Sequence, residues 1–272
     1  GGGGGERPAP PPPPPPPPKI RQAFVGKLES TELILTDDQK GIVDRCRALA
    51  EGGSGNTVDS TLTEQGGVVQ RIKSTISETV EWKPLESPSP FVAMHMRFDE
   101  EANKKAKHSI AIGKAVAEID TSMAEAAAWM WDFCSNERMR VDIEDGQHAR
   151  LVVSREGFAE QTLAVVKRMP FPLSKREGVF RQVLSKSGGK IIIAHEFIDD
   201  DVDYGRKIRR RVRLIGTTFL AFEPLSERSS RFTIIQYLDA GGHIPAWVVN
   251  QKLPESLSIA VSLRKEFSRD EE

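Results

Sequence analysis

Short apolar runs, separated by Gly, Pro, Asp and Ser, dominate the second half of the chain. This pattern is typical of β-strands bounded by turns. It predicts strands over residues 91–98, 110–119, 151–154, 162–169, 179–184, 190–198, 209–215, 219–222 and 232–238. Most of these strands follow one another with no helix between them, which favours antiparallel neighbours. The sequence therefore predicts a large antiparallel sheet.

Helical periodicity appears at three places before the last of these strands. Apolar residues between Leu33 and Ala50 recur at helical spacing after Thr36, a residue suited to an N-cap. A weaker helix is predicted over residues 68–80. A third, from Met123 to about Cys134, begins at Ser122 and Glu125, the spacing of a capping box.

The last segment predicts one long helix from Pro245 to about Phe267, interrupted or kinked at Pro254 because proline removes a helical hydrogen bond. Its apolar residues cover an arc of roughly 200°. Ordinary core packing is the simpler interpretation of so wide an arc, and contact with both a sheet and an enclosed molecule is the alternative. The arc consists of Val249, Leu253, Leu257, Ile259, Ala260, Val261, Leu263 and Phe267.

The N-terminus is a low-complexity leader with glycines at positions 1–5 and a proline run from Pro10 to Pro18. We expect it to be disordered or to form polyproline II, because it offers no apolar side chains for a core. A stiff spacer is the simpler interpretation, and docking on a proline-recognition domain is the alternative.

Composition narrows the class of protein. The chain has 38 Lys and Arg against 39 Asp and Glu and a pI near 6.6, which argues against a nucleic-acid partner. Two cysteines favour a reducing compartment. The chain also lacks a signal-peptide pattern and any apolar stretch of about 20 residues that would span a bilayer. We therefore expect a cytoplasmic protein, with peripheral membrane attachment as the alternative.

Two charged clusters suggest ligands at first sight. Residues 199–203 contain four aspartates, but Arg210 occupies the position where a calcium loop needs a glutamate, so a solvated turn is the better interpretation. Arg206 to Arg213 is the only basic cluster. It is interpreted first as a charged strand face and second as a membrane-docking site.

Nothing in the sequence predicts an active site, a metal or a cofactor. The five histidines lack metal-ligand spacing, and no nucleophile motif is present. His195 is a candidate for a buried polar contact to a ligand. Glu196 beside it is not a catalytic partner, because neighbours on a strand point to opposite faces.

Several ordered motifs resemble the StAR-related lipid-transfer (START) domains. The most specific is the run from Thr233 to Asn250, TIIQYLDAGGHIPAWVVN, which is similar to the family's closing strand, Asp-x-x-Gly-x-x-Pro turn and first turns of the last helix. Further matches are Lys167 to Glu177, Val212-Arg213 and the run 263–265. The resemblance covers residues 68–268. It departs from the family at Val141, where the family often has tryptophan.

The resemblance implies an α+β helix-grip fold, in which a curved antiparallel sheet surrounds a hydrophobic tunnel and a long C-terminal helix serves as lid. It also implies that the tunnel holds one lipid, of sterol or phospholipid class, taken up during transient contact with a membrane. Gln182 stands where cholesterol carriers have arginine, and Ile234 where ceramide carriers have tyrosine. The expected lipid-binding residues are Phe180, Gln182, Ile234, Gln236, Leu257 and Val261, with the glutamines as head-group contacts.

Taken together, the motifs predict non-enzymatic binding of a single lipid, with intermembrane transfer or sensing as its purpose. Two alternatives remain open: a lipid-regulated scaffold module of a larger protein, and a cyclase-like enzyme on the same fold. The predicted organisation is a disordered leader (1–19), a helical extension and linker (20–67), the START-like domain (68–268) and an acidic tail (269–272).

Overall fold

The computed structural model describes residues 19–51, 81–98, 111–136, 138–140, 148–167, 174–198, 212–241 and 246–268. Its helices are α1 (Lys19–Ser30), α2 (Asp37–Ala50), α3 (Met123–Trp131), α4 (Ala246–Gln251), α5 (Leu253–Leu257) and α6 (Ile259–Phe267). Its strands are β1 (Lys83–Leu85), β2 (Val92–Phe98), β3 (Ala111–Ile119), β4 (His148–Glu156), β5 (Glu160–Lys167), β6 (Arg176–Ser187), β7 (Lys190–Ile198), β8 (Val212–Arg213), β9 (Ile215–Ser226) and β10 (Ser229–Asp239).

One curved, unclosed sheet holds all of these strands. Its order is β1-β2-β3-β10-β9-β7-β6-β5-β4, and every neighbouring pair along this path is antiparallel. The two-residue strand β8 lies off the path and pairs parallel with β6. The predicted α+β helix-grip fold is confirmed.

The inner face of the sheet carries the main core. Alternate residues of β2, β3, β7, β9 and β10 point inward and pack against α1, α3, α5 and α6, because side chains in a strand alternate between faces. On β10, for example, Phe232 and Ile234 belong to this core, whereas Ile235 and Tyr237 point outward. This is the hydrophobic interior that the strand pattern predicts.

The outer face is covered by α2, which the sequence predicts as a helix but does not place. Ile42, Val43 and Cys46 are buried against outward-pointing residues of β6 and β7, such as Val183 and Ile192. Leu49 packs in a separate cluster with outward residues of β3 and β10. The sheet is therefore sandwiched between helices at this point.

Caps fix the starts of two helices. Thr36 and Gln39 form a reciprocal capping box at the start of α2, which confirms the predicted cap. Ser122 caps α3 by accepting a hydrogen bond from the backbone of Glu125. The Glu125 carboxylate, however, accepts from the hydroxyls of Thr121 and Ser122. The side chain therefore interacts with hydroxyls, whereas in a capping box it would accept from the N-cap backbone N–H.

The C-terminal segment is three short helices. The α4 helix ends at Gln251, α5 carries Pro254 in its first turn, and a further break at Ser258 separates α5 from α6. Pro254 confirms the predicted interruption. The second break has no proline at it. It changes which residues of the segment face the sheet.

Two elements were not predicted. The edge strand β1 contains Pro84, which is tolerated there because an edge strand leaves one side of its backbone unpaired. No helix was predicted over α1, although Ile20, Phe24 and Leu28 recur at helical spacing. Several predicted features lie outside the described residues: the proline run at Pro10 to Pro18, the helix over 68–80, the aspartates of 199–203, most of the basic cluster and the tail.

Candidate functional site

A cavity of about 380 Å³ lies between the inner face of the sheet, α3 and the helices α5 and α6. It falls within the roughly 300–1,000 Å³ that small-molecule pockets usually occupy. Ten apolar side chains form most of its wall. They are Met130, Phe133, Val165, Phe180, Phe197, Leu214, Leu220, Ile234, Leu238 and Ile259.

Charged and hydroxyl groups line another part of the wall. Arg150 and Lys167 come from β4 and β5, and Glu255 and three serines come from the C-terminal helices. Burial lowers the pKa of Lys167, as does the charge of Lys252, whereas Glu255 has the opposite effect. Arg150 donates to the carbonyl oxygen of Phe133 and lies over its ring. These charges are therefore partly compensated within the protein.

Uncharged polar residues form a row across the inner face of the sheet. Five strands that are adjacent in the sheet contribute one residue each. The strand register places each residue directly opposite the next. Side chains so placed contact one another because facing Cβ atoms are about 4.5–5.5 Å apart. We call this the polar row, and it consists of Gln161 (β5), Gln182 (β6), His195 (β7), Thr218 (β9) and Gln236 (β10).

Hydrogen bonds join members of the polar row but leave some atoms unused. Gln161 donates from Nε2 to Gln182 Oε1 at 2.7 Å and to the carbonyl of Trp131 at 2.9 Å. Gln236 Nε2 donates to Thr218 Oγ1 at 3.2 Å. Among the described residues, Gln182 Nε2, His195 Nε2 and Gln236 Oε1 have no hydrogen-bond partner. Buried polar atoms normally have one, and two of these three belong to residues that line the cavity, His195 and Gln236.

His195 is held in its neutral form. Burial is the main cause, and the nearby positive charge of Arg138 adds to it, so that the pKa of His195 is lowered to about 3. Its ring also packs against Phe180 at 5.0 Å between centroids, and Phe180 contacts Phe133 and Phe197. The imidazole is thus an uncharged hydrogen-bonding group in an aromatic surrounding.

Behind the polar row, α2 is fixed to the outer face of the same strands. Arg45 forms a bidentate ion pair with Glu196, the neighbour of His195 on β7. Arg181 bridges Asp38 of α2 and the buried Glu160. The predicted opposite orientation of His195 and Glu196 is confirmed, because one lines the cavity and the other binds α2.

Comparison with solved structures identifies the architecture. Human STARD10 matches with a TM-score of 0.56 at 15% identity, covering 89% of this chain and 84% of that one. Human StAR-related lipid transfer protein 5 matches with 0.56 at 15%, covering 84% and 97%. A STAR-related lipid transfer protein from Xanthomonas axonopodis matches with 0.54 at 18%, covering 68% and 98%. This chain has a START-like fold.

Comparison of the amino-acid sequence alone identifies no relative. No protein-family model matches the chain, and no curated protein matches it. At 15% to 18% identity, the similarity to the START structures lies in strand order and packing. The resemblance of the sequence motifs to START domains agrees with it.

The START-like fold brings together three of the six predicted lipid-binding residues. Phe180, Ile234 and Gln236 line the cavity. Gln182 is fully buried beside it, where it accepts the hydrogen bond from Gln161 and lies outside the lining set. Phe180 and Gln182 stand two positions apart on β6, as Ile234 and Gln236 do on β10, and all four face the inner side of the sheet.

The other two predicted residues lie on the C-terminal helices but away from the cavity wall. Leu257 is fully buried in the main core and approaches Gly113 of β3. Val261 packs at the edge of the same core. The predicted apolar arc kept one helical phase through residue 258. In the structure the segment breaks at Ser258, and Ser256, Ile259 and Ser262 line the cavity on either side of this break.

Two separated motifs of the resemblance meet in the structure. Glu177, which is fully buried on β6, forms an ion pair at 3.0 Å with Arg213 of β8, directly opposite it in the parallel pairing. The proline-containing turn before this pair, residues 168–173, lies outside the described residues.

Two residues of the polar row, Gln161 and Thr218, were not predicted from the sequence. Their signal in the sequence is a polar residue at an inward position of an otherwise apolar strand.

Proposed function

We propose that this chain binds one lipid molecule in the cavity between the inner face of the sheet and the helices α5 and α6. The observation that carries this proposal is a largely apolar cavity of about 380 Å³ within a START-like fold. Two of the similar structures are described as lipid transfer proteins. Each CH₂ group of an acyl chain or ring system that leaves water for an apolar wall gains about 0.8 kcal/mol of free energy. Such a wall is therefore a favourable environment for a lipid.

The volume of the cavity favours a single narrow apolar ligand. Its volume lies near the lower end of the range for small-molecule pockets, which suits a single acyl chain or a fused ring system better than a two-chain phospholipid. Ser258 and Ile259 border it at the junction of α5 and α6. We propose that the lipid enters and leaves by displacement of these helices during transient contact with a membrane surface.

Binding without catalysis is the proposed mode of action, with transfer between membranes or lipid sensing as its purpose. The members of the polar row that line the cavity offer the Gln236 amide, the Thr218 hydroxyl and the neutral His195 imidazole. No helix within the described ranges combines the length and the apolar character that a bilayer crossing requires. In those same ranges, no group of three or more His, Cys, Asp or Glu is placed to hold a metal ion.

The test is lipid retention by the full chain after incubation with vesicles of phosphatidylcholine, phosphatidylserine, cholesterol, ceramide and fatty acid, read by native mass spectrometry. We expect one lipid per chain. Ser262→Phe, which fills the cavity from α6, should reduce retention at least tenfold, corresponding to about 1.4 kcal/mol. Lys265→Phe on the same helix, outside the cavity wall, is the matched control. Ligand-free wild-type protein after this incubation would overturn the proposal.

A further inference from the structure

We propose that the polar row selects a lipid whose polar group is an uncharged hydroxyl, held between His195 and Gln236 above Thr218. This inference rests on the proposed lipid-binding function and assigns the class of ligand. Its basis is that two residues lining the cavity, His195 and Gln236, each have a buried polar atom without a hydrogen-bond partner.

The geometry suits a group that both accepts and donates a hydrogen bond. His195 and Gln236 lie on either side of Thr218 in the strand register, and all three line the cavity. With its proton on Nε2, His195 donates to the lipid oxygen. The lipid hydroxyl in turn donates to Gln236 Oε1, because the Gln236 Nε2 already donates to Thr218. An alcohol satisfies both unpaired atoms at once, which a hydrocarbon or an ether cannot do.

Charge at the polar row argues against an ionised head group. His195 is only 8% exposed and neutral, and no other member of the row carries a charge. Arg138, whose positive charge acts on His195, donates to the carbonyl of Trp129 and stacks on its ring. A choline or amine would therefore meet a positive charge. A carboxylate or sulfate would lose its hydration with no charged partner in the row and with Arg138 already engaged by Trp129.

The charged wall residues lie farther along the strands. On β5, Lys167 is six residues from Gln161, roughly 20 Å at 3.3 Å per residue. Arg150 pairs opposite Val165, four residues from Gln161 or roughly 13 Å away. Glu255 reaches the cavity from α5 on the side of Lys167, whose pKa it influences. Along β5, the charged wall residues are therefore separated from the polar row by at least four residues.

The test compares two matched sets of probes: hexadecanol, hexadecane and palmitate, and cholesterol, cholestane and cholesteryl sulfate. Each is offered to the full chain in phosphatidylcholine vesicles, and the bound mass is quantified by native mass spectrometry. In at least one set, we expect the alcohol to exceed both partners by roughly ten- to a hundredfold, the effect of two hydrogen bonds to buried groups.

Two variants assign this preference to the row. His195→Phe keeps an aromatic ring against Phe180 and removes the donor, and Gln236→Leu removes the acceptor. Each removes one of the two hydrogen bonds and should lower the ratio of alcohol to hydrocarbon by roughly three- to tenfold while the hydrocarbon binds as before. Ile234→Val is the control, because it trims the apolar wall and should weaken all three probes of a set alike. Melting curves establish that each variant is folded, and either folded variant suffices for the test.

The outcomes separate the two proposals. If no probe of either set is retained, lipid binding itself fails. If probes are retained but the anion or the hydrocarbon equals the alcohol, lipid binding stands and the hydroxyl selection fails. The selection also fails if the preference survives undiminished in a folded His195→Phe or Gln236→Leu chain.

Discussion

Arg45 and Glu196 form a bidentate ion pair that attaches α2 to the outer face of the sheet, with Nε 2.5 Å from Oε1 and Nη2 2.7 Å from Oε2. Glu196 adjoins His195, which faces the cavity from the other side of β7. The pair therefore links the position of an outer helix to the strand that carries the central residue of the polar row.

Replacing Arg45 by methionine should lower the free energy of unfolding by about 1 kcal/mol, since the pair is bidentate but Arg45 is 39% exposed and screened by solvent. Urea denaturation measures the change. Arg47→Met on the same helix removes an exposed pair with Asp44 and should change stability by less than about 0.5 kcal/mol. Equal effects of the two substitutions would contradict the assigned role of Arg45.

Acid should destabilise the protein through His195. The unfolded histidine titrates near 6.5 and the folded one near 3, so the unfolded state binds more protons between these values and stability falls as pH falls. The histidine should account for about 2 kcal/mol of lost stability at pH 5. His195→Gln removes this contribution. Urea denaturation of both chains from pH 7 to 5 should show a steeper loss in the wild type, and parallel curves would refute the buried neutral imidazole.

Gly113 controls how closely α5 approaches the sheet. A Cβ at this position would lie 2.7 Å from Leu253 Cδ1 and 3.1 Å from Leu257 Cδ1. Gly113→Ala should therefore cost about 1–3 kcal/mol and loosen α5, as overpacked cores do. Hydrogen exchange should quicken in α5. Gly26→Ala in α1 is the control: a Cβ there meets nothing within 4 Å, and the change should stabilise by up to about 1 kcal/mol. Unchanged exchange in α5 would count against the proposed packing.

We propose that α1 is part of the folded domain, in contrast to the boundary at residue 68 that the motifs suggest. Leu28 is fully buried in the main core, and Arg21 pairs with Glu266 of α6 at 2.9 Å. Leu28→Ala should cost about 2–5 kcal/mol by leaving a cavity. Ile34→Ala, at a position 87% exposed, should be neutral within about 0.5 kcal/mol. If both substitutions were neutral in thermal and urea unfolding, α1 would be an appendage.

Much of the fold follows from local chemistry that is visible along the chain. The β7 prediction, residues 190–198, matches the structure at both ends, because Gly188 and Gly189 at the turn and the following apolar run define it. The start of α2 follows from Thr36 and Gln39, whose reciprocal bonds need no distant partner. The inward direction of Phe180, Ile234 and Gln236 follows from the two-residue period of strands once the sheet is assumed.

What the sequence by itself determined is therefore the set of strands, the capped helices and the alternation that separates inward from outward residues, since each depends on neighbours a few positions away. Only the tertiary structure decided that Gln161, Gln182, His195, Thr218 and Gln236 stand in one row, because register between strands distant in the chain depends on how the whole sheet pairs. It also decided that Ser262 faces the cavity and Leu257 the core. The break at Ser258 alters the helical phase, and no periodic pattern in the sequence predicts it.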